Sequence, residues 1–157
     1  MEKRKLPEKP LPSPERKHLS KKRGSPYFSH EADIGIEVGG RTPEEAFVRM
    51  AEATFFLETD LSSVRPLQTV DISFREEDVE LALPIWINRL LSESAIRGLV
   101  FCRFQLERSD GDWSGQAFGE PWRADHPRGI EVKGATLTLL SVRRRGGFWK
   151  ARLVVDV

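Results

Sequence analysis

The chain has 157 residues, 39% hydrophobic and 31% charged, which suits one soluble domain with a sizeable core. No apolar run approaches the ~20 residues that cross a bilayer, and the polar, Pro-rich start lacks the apolar stretch of a secretory signal. The single cysteine, Cys102, excludes an internal disulfide, so a cytoplasmic, reducing setting is expected. The net charge of +1 hides an asymmetry: residues 1–25 hold nine Lys or Arg against three Glu, whereas the remaining 16 basic and 21 acidic residues leave −5.

Taken in order, the chain begins with that basic segment, where Pro7, Pro10, Pro12 and Pro14 forbid a regular helix and too little apolar surface is present to offset ordering. Residues 1–25 therefore read as a disordered basic arm, and residues 26–157 as the folded domain. The arm is either drawn to RNA phosphates by charge or is a solvated tail that aids solubility, since no aromatic residue is interleaved to stack on bases. A strand is expected from Tyr27 to Val38, with Ile34, Ile36 and Val38 on one face and Asp33 on the other unless a bulge intervenes. Gly39-Gly40 ends it. Thr42 is the N-cap of a first helix, with Pro43 at its first position and Glu45 placed to close a capping box. Phe47, Met50, Ala51 and Thr54 recur at helical spacing and point to core.

Between Val64 and Phe74, the alternation of Val70, Ile72 and Phe74 argues for a strand. A second helix is expected over residues 78–94, with Val79, Leu83, Trp86, Ile87, Leu90 and Leu91 on its apolar side. Pro84 leaves two alternatives, a start near Leu83 or a bend there. From Leu99 the pattern is β: Val100, Cys102, Phe104 and Leu106 alternate with polar or outward residues, and Ser109-Asp110-Gly111-Asp112 turns the chain into a strand over residues 113–118. Asp110 and Asp112 flank a glycine as in a calcium loop, but the rest of that ligand ladder is missing, so they read as a hairpin turn. Residues 121–129 form a polar loop with Trp122 and His126. Residues 130–142 and 148–157 then pair as a hairpin across residues 143–147.

The chemistry legible in these residues is limited. There is no phosphate-binding loop, dinucleotide fingerprint, nucleophile elbow or zinc-type Cys/His spacing. His18 and His126 read as solvated; His30, three residues before Asp33, either orients a site or is satisfied within its strand. Cys102, in an apolar strand, reads as an inert core thiol. What remains is a hard-cation site, because carboxylate and carbonyl oxygens suit Ca²⁺, Mg²⁺ or Mn²⁺. Spacing alone leaves open whether Asp33 and the final Asp156-Val157 converge.

The run His30-Glu31-Ala32-Asp33-Ile34-Gly35, followed by Gly40-Arg41-Thr42-Pro43-Glu44-Glu45-Ala46-Phe47, resembles the opening of the archease family. Trp86-Ile87-Asn88 with Leu90-Leu91, Phe101 with Arg103-Phe104, Gly119-Glu120, Glu131-Val132-Lys133 and Val154-Val155-Asp156-Val157 continue the resemblance in the same order, from about Tyr27 to the last residue. It implies an α+β single domain with two helices packed on antiparallel or mixed sheet, and a divalent metal, Ca²⁺, Mn²⁺ or Mg²⁺, held by Asp33, Asp156 and Val157. It also implies an accessory protein with no catalytic residues of its own, whose partner is the RtcB-type RNA ligase of tRNA splicing and RNA repair. In that family the accessory protein promotes guanylylation of the ligase and its multiple turnover. Two rivals stand beside this reading: a stand-alone metal-dependent hydrolase or transferase, and an RNA-binding or chaperone-like protein. The chain departs from the family at Leu137-Thr138, where an aromatic and a histidine are usual, and at Pro84-Ile85.

Overall fold

The computed structural model describes residues 24–157, so the basic arm expected over residues 1–25 lies, apart from its last two residues, outside the described residues. The elements in chain order are β1 (Tyr27–His30), β2 (Asp33–Gly40), α1 (Pro43–Glu58), a 3-10 turn (Leu61–Ser63), β3 (Gln68–Arg75), α2 (Val79–Arg97), β4 (Leu99–Ser109), β5 (Asp112–Pro121), β6 (Gly134–Ala135), β7 (Ser141–Arg145) and β8 (Phe148–Asp156). The strands form two wholly antiparallel sheets. In one, β1, β2, β8 and β6 follow in that order and β7 also pairs with β8; in the other, β5 lies between β3 and β4. The α+β expectation holds, with two separate sheets in place of one.

Helix α1 joins the sheets. It packs on β2 and β8 of the first and on β4 of the second, which explains why its buried residues, from Ala46 and Phe47 through Met50, Ala51, Ala53, Phe55, Phe56 and Leu57, span more than half of its circumference. Toward the first sheet, Tyr27 donates its hydroxyl to Ala53 O at 2.7 Å. Toward the second, Phe47 stacks on Trp113 at 5.1 Å and Phe55 meets Phe101 edge-on at 5.6 Å. The helix starts as its sequence dictates: Thr42 Oγ1 accepts from Glu45 N at 3.0 Å. The Glu45 carboxylate, however, reaches forward to Arg49 at 2.9 Å rather than back to close the box.

Helix α2 begins at Val79, where the Asp78 side chain accepts from Glu80 N and Leu81 N, and it runs on through Pro84 to the left-handed cap Gly98. The start near Leu83 is thus overturned: Pro84 lies in the second turn, where it lacks the N–H that would bond Glu80 O, and the burial of Leu83, Trp86 and Ile87 offsets that loss. Its Trp86 is fully buried and donates Nε1 to Phe47 O at 3.0 Å. Asn88 imitates a strand: its side chain accepts from Ala135 N at 2.8 Å and donates to Ala135 O at 3.3 Å, holding β6 between α2 and β8.

Two of the expected strands are divided. The run Tyr27 to Val38 is a hairpin in which His30 pairs with Asp33 around a turn carrying Glu31 at φ 52°, and β2 continues through Gly39-Gly40. Glutamate gives no turn signal of its own, so alternation alone reads through the reversal. Residues 130–142 pair with β8 only at β6 and β7. Between them, Leu139 has φ 54° and Thr136 gives its hydroxyl to Val154 O, and both features break the ladder. Ile130 and Val132 are nevertheless buried, because this stretch serves another purpose: Gly129 N and Ile130 N donate to Glu58 O and Leu57 O, satisfying carbonyls at the end of α1. A Cβ at position 129 would stand 2.3 Å from Leu57 O, so only glycine permits that approach.

Candidate functional site

Asp33 is the first residue of β2 and Asp156 the last of β8. The two strands are antiparallel neighbours whose register includes Ile34 opposite Val155. Asp33 and Asp156 each lie one residue beyond that last pair. Asp33 also pairs with His30 across the β1–β2 turn, and Asp156 pairs with Gly134 on its other side. His30, Asp33 and Asp156 therefore lie at one end of the first sheet. Asp156 is exposed, Asp33 half-buried, and Val157 packs partly against the core. Lys133 N donates to Asp156 O at 2.8 Å, which fixes this end of β8.

Among the described residues, no three His, Cys, Asp or Glu side chains already stand together as a metal cage. The donor chemistry nonetheless fits a hard cation, since two carboxylates and main-chain oxygen at Val157 supply oxygen alone, with solvent able to complete the shell. Asp33 and Asp156 are each the residue next to the Ile34–Val155 pair, at one end of the first sheet, and Val157 follows Asp156 in the chain. His18 lies outside the described residues, and His126 lies in the loop after β5.

His126 corrects the expectation of a solvated loop residue. It is 3% exposed, and it belongs to a network centred on Glu120, itself 1% exposed. Glu120 accepts from Arg65 N at 2.7 Å, Arg65 Nε at 3.0 Å, Arg123 Nε at 3.2 Å and His126 Nε2 at 3.2 Å. His126 Nδ1 accepts from Arg123 N at 2.8 Å, so in the neutral ring the proton sits on Nε2 and points at Glu120. Burial by itself would raise the Glu120 carboxyl. The Arg65 side chain and N–H, Arg123 and His126 outweigh that and hold it at about 2. The stability this contributes is fully present above the ordinary carboxylate range and is lost as pH falls toward 2. The network ties the loop after β5 to the segment before β3. The Gly119-Glu120 pair was visible in the sequence, but its partners are 55 positions upstream and six downstream.

Glu58, at the last turn of α1, is a second group that the sequence reading missed. Burial pushes its carboxyl up to about 7; Val132 N–H and Arg128 oppose the rise, and Glu131 adds to it. Its Oε2 accepts from Val132 N at 3.1 Å. It lines a cleft of about 480 Å³ with Ser94, Trp122, Arg128 and Glu131, in which the Arg128 guanidinium lies 3.6 Å from the centre of the Trp122 ring. Cys102, by contrast, behaves as expected. It sits at a bulge in β4, burial raises its thiol, and Sγ donates to Phe118 O at 3.5 Å, so it carries no thiolate chemistry. Asp110 and Asp112 are likewise turn residues: Asp110 has φ 53° and Asp112 pairs with Arg75 at 2.8 Å.

Two antiparallel sheets joined by a buried helix, with an acid pair where the first sheet's β2 and β8 meet, define a small α+β protein whose candidate chemistry is ion binding rather than a cleft with nucleophile and base. The model of the Archease protein family (MTH1598/TM1083) matches residues 26–157, and the chain belongs to that family. The archease of Methanopyrus kandleri is 35% identical over 135 residues, covering 83% of this chain and 96% of that protein. That of Pyrococcus furiosus is 35% identical over 137 residues, covering 83% and 96%. The solution structure of Methanobacterium thermoautotrophicum protein 1598 superposes with a TM-score of 0.73 at 27% identity, covering 87% of this chain and 100% of that one. A Thermotoga maritima archease, named a possible chaperone, gives 0.62 at 22% identity over 82% and 93%, a likeness of fold.

Proposed function

We propose that this protein is a metal-binding accessory factor that activates an RtcB-type RNA ligase, promoting its guanylylation and multiple turnover in cytoplasmic tRNA splicing or RNA repair. Membership of the archease family supports the class. The observation that supports the reading is the β2–β8 register, which ends at Ile34 opposite Val155 with Asp33 and Asp156 the next residue on each strand. Two carboxylates at neighbouring strand positions repel until a cation neutralises them. Asp33, Asp156 and main-chain oxygen at Val157 would hold a divalent ion, Ca²⁺, Mn²⁺ or Mg²⁺, of which a bound ion supplies positive charge to a phosphate-bearing partner. The backbone around them is held in place: Lys133 N–H bonds the main-chain carbonyl of Asp156, and the β1–β2 turn sets the start of β2 at Asp33. In this role the protein assists an enzyme and performs no turnover itself.

The test pairs ion binding with ligase activation. Ca²⁺ or Mn²⁺ should raise the melting temperature, with stabilisation growing as the logarithm of ion concentration above the dissociation constant. Asp33→Asn keeps the shape while removing a charge, so it should shrink that shift and lower ligase guanylylation while the metal-free variant stays as stable or becomes more so. Full activation of the ligase by an Asp33→Asn protein that no longer binds the ion would refute the proposal.

A further inference from the structure

From Val132 to Val155 the chain carries six basic residues, Lys133, Arg143, Arg144, Arg145, Lys150 and Arg152, and no acidic one. Five of them fall in the β7–β8 hairpin, which turns at Gly146-Gly147. Its register sets Ser141 opposite Arg152, Arg143 opposite Lys150, and Arg145 opposite Phe148. Opposed residues share a face, so Arg143, Arg145, Lys150, Arg152 and Phe148 form one surface. The alternate pair, Val142 opposite Ala151, is buried, and the basic surface therefore looks away from the core.

Arg143, Arg145 and Lys150 are exposed, and so is Phe148 at 55%. Among the described residues, Arg143, Arg144 and Arg145 make no ion pair. Glu37, on β2, lies 3.8 Å from Lys150 and stands opposite Arg152. Strand β7 is an edge, and edge strands carry charges that discourage pairing with other chains. That accounts for the arginines of β7. It does not account for Lys150, which stands on the interior strand β8 between β7 and β2, nor for a large aromatic ring left in water beside it; Arg152 on the same strand donates Nε to Leu139 O at 2.8 Å and keeps its terminal nitrogens for a ligand.

We infer that the outer face of the β7–β8 hairpin binds single-stranded nucleic acid, with Arg143, Arg145, Lys150 and Arg152 on successive phosphates and one base stacked on Phe148. Cations two residues apart on a strand lie roughly 7 Å from one another, a spacing that an extended phosphate backbone can follow. Guanidinium forks suit phosphate oxygens, and an exposed aromatic beside a cationic track is how unpaired bases are held without sequence preference. An acidic protein surface would use the charges but gain nothing specific from the ring. The site is independent of the proposed metal centre, since Phe148 and Asp156 are at opposite ends of β8, roughly 27 Å apart at strand rise.

The experiment measures fluorescence anisotropy of labelled 15-mers, oligo(U) and oligo(dT), with the full chain across a salt series. Four phosphate contacts give a slope of log affinity against log salt of roughly −3. The double variant Arg143→Glu/Arg145→Glu, with an unchanged melting temperature, should bind more than about tenfold more weakly and halve that slope. Phe148→Ala should weaken binding about tenfold at an unchanged slope. Asp33→Asn should bind as wild type, which separates this site from the metal centre. Preference for oligo(U) over oligo(dT) would identify RNA as the ligand, and equal binding would identify single strands of either kind. The inference is overturned if wild type fails to bind either probe at 50 mM salt, if the charge-reversed protein binds as wild type, or if poly-Glu displaces the probe equally well and Phe148→Ala has no effect.

Discussion

Glu58→Gln tests the electrostatics of the α1 terminus most directly. In the folded protein the Glu58 carboxyl is raised from 4.5 to about 7, first by burial and then by Glu131, against the opposing Val132 N–H and Arg128. A carboxyl raised on folding binds its proton more tightly in the native than in the unfolded state. Its contribution to stability is therefore greatest below pH 4.5, falls as pH rises between the unfolded and folded values, and is gone above about pH 7. Over that window the loss amounts to roughly 3 kcal/mol. Glutamine keeps an oxygen for Val132 N–H and cannot ionise, so the variant should match wild type near pH 4.5 and exceed it by up to that amount at pH 8. For a domain of this size the difference is about 10 °C in melting temperature. The assay is thermal or urea unfolding of both proteins from pH 4.5 to 8. The difference between them cancels every other titrating group, including Glu120, whose transition lies at lower pH. Parallel curves across the range would refute the account of a carboxyl desolvated by the 129–132 segment.

Thr42→Ala removes the acceptor for Glu45 N and should cost about 1 kcal/mol, read as a lower urea midpoint at constant slope. Trp86→Phe keeps most of the buried ring but leaves Phe47 O without its indole partner and opens space against Gly115, so a loss of roughly 2–4 kcal/mol is expected by denaturant unfolding.

Much of this protein's local structure follows from its sequence, because the forces that set it act within a few residues. The Thr42-Pro43 start of α1 is local capping chemistry, and the alternation of Val70, Ile72 and Phe74 marks β3 through the period of the pleat. The apolar series from Val79 to Leu91 marks α2 despite Pro84, since the packing of Leu83, Trp86 and Ile87 outweighs one missing backbone bond. The ordered motifs from His30 to Asp156 also pointed to the family that the comparisons confirm.

Tertiary structure decided everything that depends on which distant segments meet. The run from Tyr27 to Val38 became a hairpin because β2 pairs with β8 on one edge and folds back on β1 at the other, a choice that alternation cannot register. One sheet became two because the buried residues of α1 span more than half of its circumference, opposite a stripe with Glu45, Arg49 and Glu52, and meet a sheet on each side. Glu120 owes its lowered carboxyl to Arg65, 55 positions upstream, whereas Glu58 owes its raised one to burial in a cleft that the distant 128–132 segment lines, against the opposing Val132 N–H. Asp33 and Asp156 are separated by nearly the whole folded chain, and only the antiparallel pairing of β2 with β8 brings them to the same end of the sheet: local sequence fixes which residues can ionise or bind, while long-range pairing fixes which of them share a place.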